Sequence, residues 1–336
     1  MYNANQPGCT YYFSPMSVYN LGIVDHAHNY ASGEVKERMY AHVYHEGVGK
    51  KGANNVASLV VKTLTQLNLL REDSAGGELN IIFDNCSGQN KNNTVLKLAA
   101  WLKAMGYFQQ VNFIFLVVGH TKNAADCLFN SLKHEYRKQD IFTMEVLIEK
   151  LSASDCVTVI PTVPDNFFNY DKLFKGLYRP LASKVKQNHI FTCIDDDQMI
   201  LRESNLNHHT ATSFRLSKKG LLMNQTQLRE HTSNELMRLA CAGLNPYKMV
   251  ELWKNYPPHV DPIYWNNILF QEPDEKVMAL VKAEKGERSV FRAKIKDVKA
   301  SGMKERLDSI ALDIDEGGDN NGDDMDSDLA AKVGQQ

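Results

Sequence analysis

The sequence has no apolar run of the length that a membrane span requires and no secretory signal at its start. No stretch of ~18 consecutive apolar residues occurs, so we expect no transmembrane helix. The first ten residues, MYNANQPGCT, lack both a basic segment and an apolar core, so we expect no cleaved leader. Together these absences predict an intracellular protein without a membrane partner.

Paired cysteines and nucleophile motifs are also missing. The six cysteines are scattered singly, and no CxxC pair occurs among them. Such a distribution is typical of free thiols in a reducing compartment, and it argues against a structural zinc site. The chain contains neither a GxSxG motif nor a cysteine and histidine pairing that would support acyl transfer.

The small net charge of −2 conceals a strong asymmetry. Residues 313–336 contain eight acidic residues and one lysine, whereas the rest of the chain has 37 basic and 32 acidic residues. Because residues 311–336 are also poor in apolar side chains, we predict that they form a disordered acidic tail. The tail either aids solubility or competes for the basic segment 288–306, and the mildly basic body is compatible with nucleic-acid binding.

Strand-like and helix-like segments alternate in the first half of the chain. Segments 17–24 and 34–45 predict strands joined by a turn, and apolar runs at 78–85 and 111–118 predict buried strands. Apolar residues at helical spacing predict helices at 53–70, 91–105 and 124–137. Buried strands that alternate with helices favour an α/β domain with parallel strand pairs.

The second half of the chain is less regular. Short strands are predicted at 156–161, 189–194, 199–204 and 213–217, and helices at 143–153, 232–242, 245–256 and 274–285. We therefore expect three regions: an α/β domain at residues 1–180, a smaller α+β region at 181–310 and the tail at 311–336.

Asp84 is the most informative polar residue because it ends a predicted buried strand and begins the segment DNCSGQNKNN. In open α/β sheets, ligands bind beyond the carboxyl ends of the strands, where a carboxylate can hold a metal ion. Gln89, Asn90 and Lys91 would offer hydrogen-bond donors for phosphate groups at the start of the next helix. The alternative is that Asp84 merely caps that helix.

The next predicted strand is followed by GHTKNAAD, which contains His120 and Asp126. If the two strands are parallel neighbours, Asp84 and Asp126 lie at the same sheet edge, and their carboxyl groups should be about 4–7 Å apart. Such hard oxygen ligands suit Mg²⁺ or Mn²⁺, and His120 would contact the phosphates of the substrate. The alternative for Asp126 is a charge that is favourable at a helix start.

A glycine-rich segment, GVGKKG at residues 47–52, is similar to a phosphate-binding loop. It lacks the GxxxxGK[ST] spacing and does not follow a clean apolar strand, so the sequence argues against a nucleotide site there.

The strings FDNCSGQNKNN and FLVVGHTKNAADCLFNSLKHEYRK are distinctive together. They closely resemble a domain family of unknown function found in transposon-like proteins of eukaryotes, whose members carry DNCSGQNKN and GHT…D..F boxes. QPGCTYYFSPMSVYNLGIV and HEGVGKKGANNVASL extend the resemblance, which covers roughly residues 6–180. It implies a ribonuclease H-like fold of the DDE transposase and integrase type, with a mixed sheet flanked by helices.

By this resemblance, Asp84 matches the second acidic residue of the family and Asp126 the third. The pair would bind divalent metal for phosphoryl transfer on nucleic acid, with DNA the expected substrate and the nucleus the expected location. The first acidic residue would lie before Gln6, and no Asp or Glu occurs before Asp25. The alternatives are a binding module without catalysis and a metal-dependent phosphohydrolase of small molecules.

Overall fold

The structure is a computed structural model that describes nine segments of the chain. These segments are residues 15–29, 34–71, 77–117, 124–137, 140–181, 185–203, 211–218, 223–241 and 243–286. His120, the basic segment and the acidic tail therefore lie outside the described residues. The chain divides into two compact units, Met1–Glu272 and Pro273–Gln336. A search of the described segments finds no helix with the length and apolar character needed to cross a membrane.

Strands and helices are interspersed along the first unit. In chain order they are β1 (Val18–Asn29), β2 (Glu34–His45), α1 (Ala53–Gln66), β3 (Glu78–Phe83), α2 (Asn93–Ala104), β4 (Gln110–Phe115), α3 (Ala124–Arg137), α4 (Met144–Leu151), β5 (Val157–Pro161), α5 (Tyr170–Leu177), β6 (Ile190–Cys193), β7 (Gln198–Arg202), β8 (Thr212–Arg215), α6 (Gln225–Glu235) and α7 (Pro246–Asn255). Within the second unit, residues 275–286 are helical, and the Asp274 side chain accepts from the backbone N–H of Val277.

Among the described segments, the strands form two mixed sheets, which confirms the mixed α/β prediction. In the first sheet, β1 pairs antiparallel with β2, and β2 pairs parallel with β5. The second sheet has the order β3-β4-β6-β7-β8, with β3 and β4 parallel and the remaining pairs antiparallel. This second sheet takes strands from both sides of the boundary that the sequence predicts near residue 180.

α2 is the central helix of the largest core. Its sequence is apolar around most of its circumference, and nearly all of its residues are buried. It packs against α1, α5, β4 and β6. Trp101 of α2 contacts the rings of Tyr170 and Phe174 on α5, while Phe113 and Phe115 fill the sheet side of this core. A smaller core lies between the first sheet and α3 and α4.

The predicted helix at 232–242 is wrong. The helix α6 begins earlier, because the side chain of Asn224 accepts from Gln227 N and Gln227 in turn caps the Asn224 backbone. After Glu235 the chain becomes extended, and Leu239 donates its N–H to the carbonyl of Phe167. A tertiary hydrogen bond therefore replaces the helical pattern that the apolar spacing of this segment suggests.

Candidate functional site

The carboxyl ends of β3 and β4 lie side by side, as the sequence predicts. The prediction that β3 is a buried strand is wrong, because β3 is the edge strand of its sheet and only Phe83 is buried in it. The parallel register continues to the pair Phe83 and Phe115, and Leu116 N then donates to the Phe83 carbonyl at 3.1 Å. Asp84 is the next residue along β3, and its side chain is exposed. Within the described segments, no hydrogen bond or ion pair is made by the Asp84 carboxylate. The strand thus fixes the position of a carboxylate that faces solvent at the sheet edge.

The alternative role of Asp84 as a helix cap is wrong. The N-cap of α2 is Asn92, whose Oδ1 accepts from Val95 N at 3.0 Å. Asparagine is among the strongest N-cap residues, because its side chain satisfies an N–H group that has no partner inside the helix. Asp84 is therefore not needed to begin the helix and stays available for another role.

The loop between Asp84 and α2 is a compact turn organised around one carbonyl group. The carbonyl oxygen of Cys86 accepts from the backbone N–H groups of Gln89, Asn90 and Lys91 at 3.4, 2.8 and 2.9 Å. The Asn90 side chain donates to the Asp84 carbonyl at 3.3 Å, which ties the loop to the end of β3. Asn90 thus serves the loop itself, while the half-buried Gln89 lies beside it.

Lys91 is buried, with 7% of its surface exposed. Its ammonium donates to the carbonyl of Lys186 at 3.1 Å and lies 5.9 Å from the centre of the Phe115 ring. Burial lowers the pKa of the Lys91 ammonium below its ordinary value, because the charged form loses contact with water. In this structure Lys91 joins the loop to the segment before β6, and its contact with substrate phosphates stays a prediction.

Asp126 is exposed in the first turn of α3, which packs on β1, β2 and α4. It lines a cavity of about 500 Å³ together with Asn20, Lys133 and Tyr136. The Asn20 Oδ1 atom is buried there without a hydrogen-bond partner among the described residues. The distance between the carboxyl groups of Asp84 and Asp126 stays a prediction, as does the role of His120. No three His, Cys, Asp or Glu side chains in the described segments are grouped so that they could hold a metal ion.

A second cavity, of about 480 Å³, lies at the glycine-rich segment that the sequence argues against. The segment at residues 47–52 leads directly into α1, and Thr94 and Asp171 approach it from α2 and α5. In the sequence, the glycines that precede α1 were a signal for this cavity. The partners were not visible, because they come from positions far away in the chain.

One comparison with known proteins gives a match. Residues 13–210 match the family model described as Domain of unknown function (DUF7869), which spans more than half of the chain. No curated protein and no solved structure matches the chain.

Proposed function

We propose nucleic-acid processing by divalent-metal phosphoryl transfer as the function of this chain, which belongs to the DUF7869 family of domains of unknown function. The proposal includes a ribonuclease H-like fold of the DDE transposase type and a transposase-derived origin. It places Asp84 and Asp126 as metal ligands, with Mg²⁺ or Mn²⁺ as the cofactor and DNA as the expected substrate.

The observation that carries the proposal is the position of Asp84. It is an exposed carboxylate at the carboxyl end of β3, the edge strand of the second sheet, where ligands bind in open α/β sheets. Its oxygens are the hard donors that Mg²⁺ and Mn²⁺ prefer, and no described side chain neutralises them. The donor chemistry therefore fits a divalent cation at this sheet edge.

A metal bound there would polarise a phosphoryl oxygen and lower the pKa of a coordinated water molecule. The protein's own contribution is to hold the carboxylate in place. The hydrogen bonds to Cys86 and the cap at Asn92 keep the adjoining loop compact, and Asn90 joins that loop to the Asp84 carbonyl. Because the backbone at Asp84 is already held, only the side chain has to become ordered when a ligand binds.

The exposure of Asp84 supports a polymeric substrate over a small molecule. Small-molecule sites are concave and enclose most of their ligand. Asp84 instead lies on the surface, where an extended strand of nucleic acid can approach it.

The test is a DNA-cleavage assay with Mn²⁺, comparing the full chain with its Asp84→Asn variant. We expect cleavage by the wild type and a loss of at least ~100-fold in the variant, since an amide is a much poorer metal ligand than a carboxylate. Asp155→Asn is the matched control, because Asp155 is exposed in a turn before β5. Wild-type binding of DNA without cleavage would favour the binding module. Absence of both binding and cleavage would overturn the proposal.

A further inference from the structure

The second cavity is formed by the glycine-rich segment, the start of α1 and three distant parts of the chain. Its apolar walls come from Val48, Pro164, Phe167, Leu239 and Ala240. Its polar lining includes Lys50, Asn54, Asn55 and Thr94. The volume of about 480 Å³ lies within the ~300–1,000 Å³ range of small-molecule sites, and it is larger than a single oxyanion needs.

The amino-terminal end of α1 lines this cavity. Gly52 is the N-cap residue, and no side chain accepts from the first-turn N–H groups of the helix. Gly52, Ala53, Asn54 and Asn55 all line the cavity. Uncapped N–H groups at a helix start favour anionic groups, because the donors and the positive end of the helix dipole coincide.

Asn55 provides a second and independent indication of a ligand. The residue is 6% exposed, and its side-chain amide makes no hydrogen bond to another described residue. A Cβ atom added to Gly49 would lie 2.9 Å from Asn55 Nδ2, and one added to Gly52 would lie 3.7 Å from Asn55 Oδ1. The amide therefore lies against the two glycines that line the cavity. Because the residue is buried but lines the cavity, its amide can bond to a group that occupies the cavity.

The carboxylates at the cavity already have cationic partners. Glu46 forms an ion pair with Lys248, and Asp171 forms one with Lys175 at 2.6 Å. Asp171 also accepts from the hydroxyl of Thr94 at 3.0 Å. Both acids are thus paired with lysines, and Lys50 adds a positive charge to the lining of the cavity.

Gly49 is needed for close packing, although the segment does not match a known phosphate-binding loop. A Cβ atom at this position would lie 2.5 Å from Phe167 Cε2, so a larger residue would displace the wall of the cavity. The glycine thus allows the backbone to approach both Phe167 and Asn55 closely.

We propose that this cavity binds the phosphate group of a ligand of nucleotide size, held by the first turn of α1, by Asn55 and by Lys50. The phosphate is either that of a free nucleoside monophosphate or the 5′-phosphate at the end of a nucleic-acid strand. The site is separate from Asp84 in its residues and does not rest on phosphoryl transfer there.

The experiment measures binding to the full chain by isothermal titration calorimetry with four probes. The probes are adenosine, adenosine monophosphate, and a short single-stranded DNA with and without a 5′-phosphate. Preference for adenosine monophosphate over adenosine supports a free nucleotide, and preference for the phosphorylated DNA over the unphosphorylated one supports a strand end. Binding that does not depend on the phosphate, or no binding of any probe, would overturn the proposal.

Variants of the cavity residues then test whether the measured binding takes place in this cavity. We expect Asn55→Asp to raise the Kd at least ~10-fold, because a carboxylate replaces a donor to a charged group. Lys50→Gln should raise it about 2–5-fold, whereas Lys51→Gln should not, because Lys51 has the same charge but lies over Tyr19. Circular dichroism checks the fold of Asn55→Asp, and if that variant is unfolded the lysine pair decides alone. Equal effects of the two lysine variants, or an unchanged Kd in a folded Asn55→Asp, would refute the assignment.

Discussion

His42 on β2 makes the stability of the first unit dependent on pH. It is fully buried, and its Nε2 lies 2.7 Å from the hydroxyl oxygen of Thr63. Because that hydroxyl donates to the Leu59 carbonyl, its oxygen accepts from Nε2–H of the neutral imidazole. The other ring nitrogen, Nδ1, is buried without a hydrogen-bond partner among the described residues. Protonation would therefore bury a charge and an N–H group that has no acceptor.

Burial, with a smaller contribution from the charge of Lys62, lowers the pKa of His42 from 6.5 to about 4. Between these two values the unfolded chain binds a proton that the native protein does not bind. The free energy of unfolding therefore rises with pH across this window. The contribution of His42 to stability is lost as the pH falls from about 6.5 towards 4. At ~1.4 kcal/mol for each pKa unit, the full effect is about 3 kcal/mol, and about 2–3 kcal/mol of it is lost by pH 4.5.

The assay is urea unfolding followed by circular dichroism at pH 7 and at pH 4.5. In His42→Gln, the amide nitrogen replaces Nε2 as the donor to Thr63, and the titrating group is removed. We expect the wild type to lose about 2–3 kcal/mol more than this variant between the two pH values. His134→Gln, at an exposed position of α3, controls for the removal of a histidine as such. Equal losses in the wild type and in His42→Gln would refute the reasoning.

Two further predictions concern hydrogen bonds donated by buried residues. Trp101→Phe removes the indole donor to the Thr232 hydroxyl, 3.2 Å away, and should lower the free energy of unfolding by about 1–3 kcal/mol; unchanged thermal unfolding would contradict this. Lys91→Met keeps the contact with Phe115 but removes the hydrogen bond to the Lys186 carbonyl, so we expect a loss of about 1–3 kcal/mol in urea unfolding. A Lys91→Met variant as stable as the wild type would show that the loop does not depend on this bond.

Local sequence pattern was sufficient for most of the framework. The sequence predicted the parallel pairing of β3 and β4 from the helix between them. It was right that β4 is buried and wrong about β3, because β3 lies at the edge of its sheet and Ile82 is 59% exposed. Prediction failed at 232–242, where the start of the helix depends on a capping box at Asn224 and its end on a tertiary hydrogen bond of Leu239. Periodicity carries no information about either.

In the candidate site too, the sequence reveals some features and does not reveal others. The position of Asp84 follows from the end of a strand, which the sequence reveals. The burial of Lys91 does not, because its partner carbonyl belongs to Lys186, 95 residues away. The cavity at the glycine-rich segment was missed for a similar reason, since Thr94 and Asp171 complete it from other helices. Sequence reasoning thus identifies a residue's place on its own element better than the neighbours that decide its role.

The strand order of the second sheet also constrains how the chain folds during synthesis. β3 and β4 are complete by residue 115, yet the strand that pairs with the other edge of β4 ends at Cys193, and the last strand ends at Arg215. At ~5–20 residues per second, the ribosome needs about 4–16 s to make the ~80 residues between the end of β4 and the end of β6. During that time the apolar edge of β4 has no partner strand, and unpaired edges are templates for aggregation. Folding of the nascent chain therefore depends on protection of this edge until the C-terminal strands arrive.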